Sequence, residues 1–150
     1  MPDAISDLHI LLVDDDQLFL RMAQAMLTSL GVKQVTTASN GSDAFAKLKQ
    51  ATKVVDVVLC DFSMEAGNGL QLLQSIRTGL IKVLRPDTFF ILLTSSGDPS
   101  VVEAAAQLDV NGYLMKPITP ATLQAGIVKG RSRAVKVDFA RYGRVVVPAY

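Results

Sequence analysis

A short apolar run that ends in a carboxylate places the strongest constraint on the fold of this chain. Residues 57–60 are four apolar side chains between Asp56 and Asp61, and the run is too short for a helix. A strand that is apolar on both faces belongs in the middle of a parallel sheet. Because ligands of open α/β sheets bind beyond the carboxyl ends of the strands, Asp61 is predicted to lie at a ligand-binding edge.

Three other apolar runs also end in polar side chains. These runs are residues 10–13, 89–93 and 113–115, and the polar residues that follow them are Asp14, Asp15 and Asp16, then Thr94, then Lys116. Parallel strands all end at the same edge of a sheet, so we expect the acids, the hydroxyl and the lysine to converge there. This convergence is the main functional signal in the sequence.

Segments with helical periodicity separate the apolar runs. The helix predicted over residues 17–30 carries Phe19, Met22, Met26, Leu27 and Leu30 on one face, and Gly31 ends it. A chain of 150 residues is one domain by length. Five strands that alternate with five helices predict an α/β fold, a doubly wound five-stranded parallel sheet flanked by five helices.

Composition excludes several classes of function. The net charge of +1 provides no field that would attract nucleic acid or a membrane surface. No apolar run approaches the length of a membrane span, and residues 1–4 lack the features of a signal peptide. Cys60 lies within the central strand and is predicted to be a buried side chain rather than a reactive thiol. We expect a cytoplasmic protein.

The carboxylates at the predicted edge need a compensating charge. Asp14, Asp15 and Asp61 would repel one another unless their pKa values rise or a cation joins them. Mg²⁺ suits such a site because it takes a few carboxylates, keeps several waters and accepts phosphoryl oxygens. Lys116 adds a positive charge and Thr94 a hydroxyl. This set is what phosphoryl transfer to a carboxylate requires.

Four motifs together resemble the signature set of the response-regulator receiver domain. They are residues 13–15, Asp61 with Met64, residues 93–95, and residues 112–113 with Lys116 and Pro117, between which we expect a cis bond. The resemblance covers about residues 8–130 in the family's order and spacing. It implies a flavodoxin-like, CheY-like fold with strand order 2-1-3-4-5. It also implies a stand-alone receiver over residues 1–130, with residues 131–150 as an extension and no separate output domain.

The resemblance implies a signalling phosphoacceptor rather than an enzyme that turns over a substrate. Asp61 would take a phosphoryl group from a histidine kinase or a histidine phosphotransfer protein. Asp15 and Asp61 would bind Mg²⁺ directly, together with the backbone carbonyl of Ser63, and Asp14 would act through metal-bound water.

A switch is also implied by the resemblance. Lys116 would pair with Asp61 and then with its phosphoryl group. Thr94 would bind a phosphoryl oxygen, and Tyr113 would turn into the space that the Thr94 loop vacates. Output would be contact with a downstream protein that the sequence does not identify.

Two departures and two rival functions stay open at this point. Glu65 stands where the family commonly has proline, and Asn68 with Gly69 replaces the usual Asp-Gly pair; neither change removes an atom that the chemistry needs. A phosphatase similar to the haloacid dehalogenase family would use Asp14 and Asp16. A pseudo-receiver would never accept phosphate.

The C-terminal extension, residues 131–150, has a different character from the rest of the chain. Six basic residues and one acid lie between residues 129 and 144, and they are Lys129, Arg131, Arg133, Lys136, Arg141, Arg144 and Asp138. The alternatives are a solvated tail, a nucleic-acid arm or a docked segment. We expect docking because Phe139, Tyr142, Tyr150 and residues 145–147 are apolar. The expected seat is the face of the last two helices and last strand, near Tyr113, or a second copy in a homodimer.

Overall fold

Helices cover both faces of a central parallel sheet, which explains why its strands are apolar throughout. The computed structural model describes residues 5–64, 67–95 and 97–149. The strands are β1 (His9–Val13), β2 (Gln34–Ala38), β3 (Val57–Asp61), β4 (Ser63–Met64), β5 (Gly67–Asn68), β6 (Phe89–Thr94) and β7 (Gly112–Met115). The helices are α1 (Gln17–Ser29), α2 (Gly41–Gln50), α3 (Gly69–Arg77), α4 (Pro99–Gln107), α5 (Pro120–Arg131) and α6 (Phe139–Arg144).

The order of the large sheet is β2-β1-β3-β6-β7, and every neighbouring pair is parallel. This confirms the predicted order 2-1-3-4-5, because β6 and β7 are the fourth and fifth long strands. β3 lies in the middle and all of its residues are buried. Two elements were not predicted: the small antiparallel hairpin β4–β5 that follows Asp61, and the sixth helix, α6.

Strand register brings the predicted polar residues to one edge of the sheet. Val13 pairs with Cys60, so Asp14 continues beside Asp61. Thr94 is the last residue of β6 and pairs with Met115, the residue before Lys116. The convergence that was inferred from the apolar runs is therefore confirmed as geometry.

Two apolar layers hold the helices on the sheet. One layer packs α1 and α5 against one face. The other packs α2, α3, α4 and the C-terminal extension against the opposite face. Cys60 is fully buried in the second layer, and burial, with the charges of Asp61 and Asp14, raises the pKa of its thiol. It is a buried side chain, as predicted.

Helix α1 follows the predicted span but is rotated from the predicted face. Met22 is 46% exposed, whereas Leu20 and Ala23 are buried with Phe19. The ends agree better, since Gly31 has φ +92, the left-handed conformation that closes a helix. None of the helices in the described ranges has the length and apolarity needed to cross a membrane.

The C-terminal extension docks on its own domain, as predicted, but on a different face. After α5, the carbonyl of Arg133 accepts a hydrogen bond from Asn111 at the start of β7, at 3.1 Å. Tyr142 in α6 is fully buried in the layer that contains α3 and α4. The predicted seat on the last two helices and the last strand is thus corrected to α3 and the end of α4. Tyr150 and Glu65 lie outside the described residues.

Candidate acidic site

Three carboxylates meet beyond the ends of β1 and β3. Asp14, Asp15 and Asp61 each offer an oxygen, and these oxygens lie within 4.8 Å of one another. Asp14 and Asp61 are buried, whereas Asp15 is exposed. Hard carboxylate oxygens at this spacing are the donor set that Mg²⁺ prefers, so the described residues fit the predicted ion.

Asp14 and Asp16 have different tasks in this loop. The Oδ1 atom of Asp14 accepts a hydrogen bond from the backbone N–H of Asp16 at 2.9 Å. The side chain of Asp16 accepts hydrogen bonds from the N–H groups of Leu18 and Phe19 at 3.0 and 3.3 Å, which makes it the N-cap of α1. This capping role explains Asp16 without the catalytic role that the haloacid dehalogenase hypothesis gives it.

Lys116 bridges the two buried carboxylates. Its Nζ atom lies 2.8 Å from Oδ2 of Asp14 and 3.2 Å from Oδ1 of Asp61. The end of β6 fixes the backbone of Lys116, because the backbone N–H of Lys116 donates a hydrogen bond to the carbonyl of Thr94 at 2.7 Å. The bond from Lys116 to Pro117 is cis, as expected. The structure therefore gives Lys116 two acidic partners, where the sequence indicated only Asp61.

Burial and the excess of negative charge both shift the pKa values of the site. Burial, and after it the charge of Asp14, raises the pKa of Asp61 from 3.8 to about 6, although Lys116 opposes the change. Burial alone would lower the pKa of Lys116, but its hydrogen bond to Asp14 and the charge of Asp61 outweigh burial and raise it. Lys116 therefore stays protonated at neutral pH, whereas the pKa of Asp61 lies only a little below neutral pH.

Thr94 and Tyr113 lie in contact at the same edge. Thr94 is buried at the end of β6, and its side chain hydrogen-bonds that of Tyr113. Burial raises the pKa of the Tyr113 hydroxyl, and the hydrogen bond from Thr94 partly offsets the rise. Tyr113 itself is partly buried and packs against the apolar layer that contains α3 and α4. The predicted pair is adjacent.

The loop after Asp61 carries the remaining predicted donor. Ser63 is exposed in β4 and pairs with Asn68 in β5. Gly69 begins α3 directly against the end of β3, because a Cβ there would lie 2.5 Å from the carbonyl oxygen of Asp61. The N–H of Gly69 donates to the carbonyl of Phe62 at 2.8 Å. Glycine is required here by this close approach, and Asn68 caps the helix with Gln71.

One residue of the site was missed by sequence reasoning. The ring of Phe19, on the buried face of α1, lies under the Lys116 ammonium group, 3.9 Å from Nζ to the ring centroid. Phe19 was assigned only to the helix face. Its spacing from the acidic loop is the sole sequence signal, and that signal does not distinguish a cation–π contact from ordinary core packing.

Comparison with known sequences agrees with this geometry. A family model described as the response regulator receiver domain matches residues 10–128. The chain belongs to the response-regulator receiver family. CheY-like receivers are signalling phosphoacceptors of two-component systems, so this receiver is assigned to that class.

Individual relatives cover most of the receiver. It is 34% identical over 123 residues to a probable chemotaxis protein CheY of Rhizobium etli, across 80% of this chain and 89% of that protein. It is 32% identical over 122 residues to chemotaxis protein CheY1 of Helicobacter pylori, across 78% and 91%.

Solved structures show the same fold. Vibrio cholerae chemotaxis protein CheY4 superposes with a TM-score of 0.69 at 27% identity, over 80% of this chain and 95% of that chain. A response regulator receiver domain protein from Clostridium thermocellum gives a TM-score of 0.71 at 27% identity, over 83% and 94%. The family model ends at residue 128, so the C-terminal extension lies outside the range that it matches.

Proposed function

We propose that Asp61 accepts a phosphoryl group from a phosphohistidine of a histidine kinase or a histidine phosphotransfer protein. A carboxylate oxygen of Asp61 forms the new O–P bond as the N–P bond of the donor breaks, and the histidine leaves as neutral imidazole. The observation that carries the proposal is the position of Asp61, at the end of the central strand and beside Lys116, Asp14 and Asp15.

Asp15 and Asp61, with the backbone carbonyl of Ser63, are proposed to hold Mg²⁺, and Asp14 to bind a water of the ion. The ion would neutralise charge that develops on the transferred phosphoryl oxygens. Lys116, already 3.2 Å from Asp61, would contact the phosphoryl group from the other side. Asp14 would retain its hold on Lys116 and keep the ammonium group in place.

The signal is proposed to pass through Thr94 and Tyr113 to a downstream protein. Their hydroxyls are already hydrogen-bonded, so a new bond from Thr94 to a phosphoryl oxygen would change the setting of Tyr113. We place the receiver at residues 1–130 and the extension at 131–150, and expect protein rather than nucleic-acid partners in the cytoplasm. The net charge of +1 supports that expectation.

Labelling with acetyl phosphate tests the proposed function. Asp61→Asn should abolish labelling with the fold intact, because the amide is nearly isosteric but is not a nucleophile. Labelling of the unchanged chain should require a divalent ion, and Asp15→Ala should weaken metal binding more than Asp14→Ala. Normal labelling of Asp61→Asn would move the acceptor elsewhere, and undiminished labelling in excess chelator would refute the role of the ion.

A further inference from the structure

The end of the chain forms a strap, residues 139–149, that lies along α3. Tyr142 anchors the strap to the turn after α4, because its side chain is buried and its hydroxyl donates a hydrogen bond to a carboxylate oxygen of Asp109 at 2.6 Å. Arg141 pairs with the same carboxylate. Val145 is also buried, whereas Phe139 and Val146 are 55% and 87% exposed. Val147 packs partly against the same apolar layer. Beyond Val145 the described residues are exposed or only partly buried, so polar contacts carry much of the hold on that part of the strap.

Two side-chain amides of α3 and its cap hold the strap by donating to its carbonyls. Gln74 donates through Nε2 to the carbonyls of Tyr142 and Val145, both at 2.9 Å. Asn68 donates through Nδ2 to the carbonyls of Pro148 and Ala149, at 2.8 and 3.1 Å. The strap therefore follows α3 toward its N-terminal end, which is the end that lies against Asp61.

Asn68 belongs both to the strap contact and to the loop that follows the phosphoacceptor. It pairs with Ser63 in the β4–β5 hairpin, and its Oδ1 atom caps α3 by accepting from Gln71 at 3.0 Å. Its side chain is almost fully buried. Ser63 is two residues after Asp61 and is the proposed source of a metal-binding carbonyl. No other described residue is hydrogen-bonded to the strap and paired with that loop.

We propose that the strap is a built-in sensor of the acidic site, with metal and phosphoryl loading at Asp61 loosening the strap through Asn68. This coupling rests on the proposed function. A cation held by Asp61 and the Ser63 carbonyl would pull on β4, and Asn68 would move with it because Ser63 and Asn68 are paired across the hairpin. Hydrogen bonds of 2.8 and 3.1 Å would both be lost with a displacement of about 1 Å.

The coupling acts in both directions. If loading of the site lowers the equilibrium constant for strap docking by some factor, then release of the strap raises the affinity of the site for its ligand by the same factor. The part of the strap beyond Val145 suits this role because none of its described residues is fully buried, and such segments open locally at low free energy. In the resting state the strap would cover the flank of α3 and α4. In the loaded state the strap would be free and that flank would be exposed.

Amide hydrogen exchange of the full chain tests the proposal. Exchange of residues 139–149 is measured in chelator, in Mg²⁺, and in Mg²⁺ with beryllofluoride as the acyl-phosphate analogue. We expect exchange in the strap to be about tenfold faster in the beryllofluoride state, within the usual range of allosteric coupling. Unchanged or slower exchange in the strap, with beryllofluoride bound, would overturn the coupling.

Two isosteric variants separate the strap from the site. Gln74→Glu removes the donor to the strap far from the acids, so it should speed strap exchange in the resting state and tighten beryllofluoride binding by a matching factor. Asn68→Asp keeps the cap acceptor but loses the donor, so strap exchange should no longer respond to loading. Asn40→Asp is the matched control, because it changes the N-cap of α2 and none of the strap contacts.

Titration calorimetry of beryllofluoride distinguishes the two levels of failure. If beryllofluoride does not bind the unchanged chain, the proposed function fails and the coupling fails with it. If it binds with ordinary affinity while Gln74→Glu leaves that affinity unaltered, only the coupling is wrong. An equal effect of Asn40→Asp and Asn68→Asp would show that added charge, rather than the strap, is responsible.

Discussion

Replacing Asp61 by Asn should stabilise the metal-free protein while it abolishes phosphorylation. Burial and, after it, the charge of Asp14 raise the pKa of Asp61 to about 6 against the opposing effect of Lys116. At neutral pH the folded chain must therefore carry an ionised carboxylate in a setting that disfavours it. An amide of the same shape removes that charge and can still accept a hydrogen bond from Lys116.

The expected magnitude follows from the pKa. The difference between 3.8 and about 6 corresponds to about 3 kcal/mol at about 1.4 kcal/mol per unit. Solvent at the open edge screens the charges, so we expect Asp61→Asn to raise the free energy of unfolding by about 1–2 kcal/mol. For a domain of this size that raises Tm by about 3–6 °C.

The pH dependence supplies a second measurement with a definite sign. Between about pH 4 and pH 6 the folded carboxyl keeps its proton while the unfolded one has lost it. The folded state therefore binds more protons, and its stability falls as pH rises through this window. Urea denaturation in chelator should show this fall for the unchanged chain and its loss in Asp61→Asn.

Asp15→Asn is the matched control for this prediction. Asp15 belongs to the same cluster but is exposed, and its charge is the smallest of the effects that raise the pKa of Asp61. Its replacement should stabilise the chain by less than half as much. Two results would refute the electrostatic account of the site. One is an Asp61→Asn variant that is less stable than the unchanged chain. The other is the same dependence of the free energy of unfolding on pH, between pH 4 and pH 6, in Asp61→Asn and in the unchanged chain.

Three further substitutions test other contacts of the receiver. Lys116→Ala should still accept phosphate from acetyl phosphate but weaken the response of the Tyr113 ring to beryllofluoride, measured by NMR; an unchanged response would remove Lys116 from the coupling. Phe19→Leu removes a cation–π contact worth about 1 kcal/mol from the folded chain and should lower the free energy of unfolding by about that amount or more. Phe45→Leu, whose ring meets Lys49 on α2, serves as its control, and equal effects would contradict the role of Phe19. Burial, with the hydrogen bond to Asp109, raises the pKa of Tyr142 from 10 to about 12, so stability should fall between pH 10 and pH 12. Tyr142→Phe should lack that fall in thermal melts, and an equal fall in both proteins would contradict the assignment.

The sequence was sufficient for the sheet and for the charged members of the site, but not for the role of Phe19. Each buried strand is a continuous apolar run, and the residue after it is forced to the carboxyl edge, so Asp14, Asp61 and Lys116 could be placed together without coordinates. Rotation of an amphipathic helix is less constrained. Met22 and Leu20 are both apolar, and only packing against the sheet decides that Leu20 is buried.

The seat of the strap depends on a buried cation that looks ordinary in the sequence. Arg77 ends α3, yet it is fully buried, and burial lowers its pKa to about 10. Its five N–H groups donate to the carbonyls of Pro86, Thr88, Leu108 and Asp109 and to the side chain of Asn111. Full satisfaction of the guanidinium is what makes its burial tolerable.

The same contacts fix the turn after α4. Asp109 has φ +53, an uncommon conformation for a residue other than glycine. Its carbonyl accepts from Arg77 on one side while its carboxylate meets Tyr142 and Arg141 on the other. The extension therefore lies on α3 and α4 because a turn held by a buried arginine presents a carboxylate there. The hydrophobic pattern of the chain does not indicate a contact among Arg77, Asp109 and the Arg141–Tyr142 pair. The sequence could therefore predict that the extension docks, but not the face on which it docks.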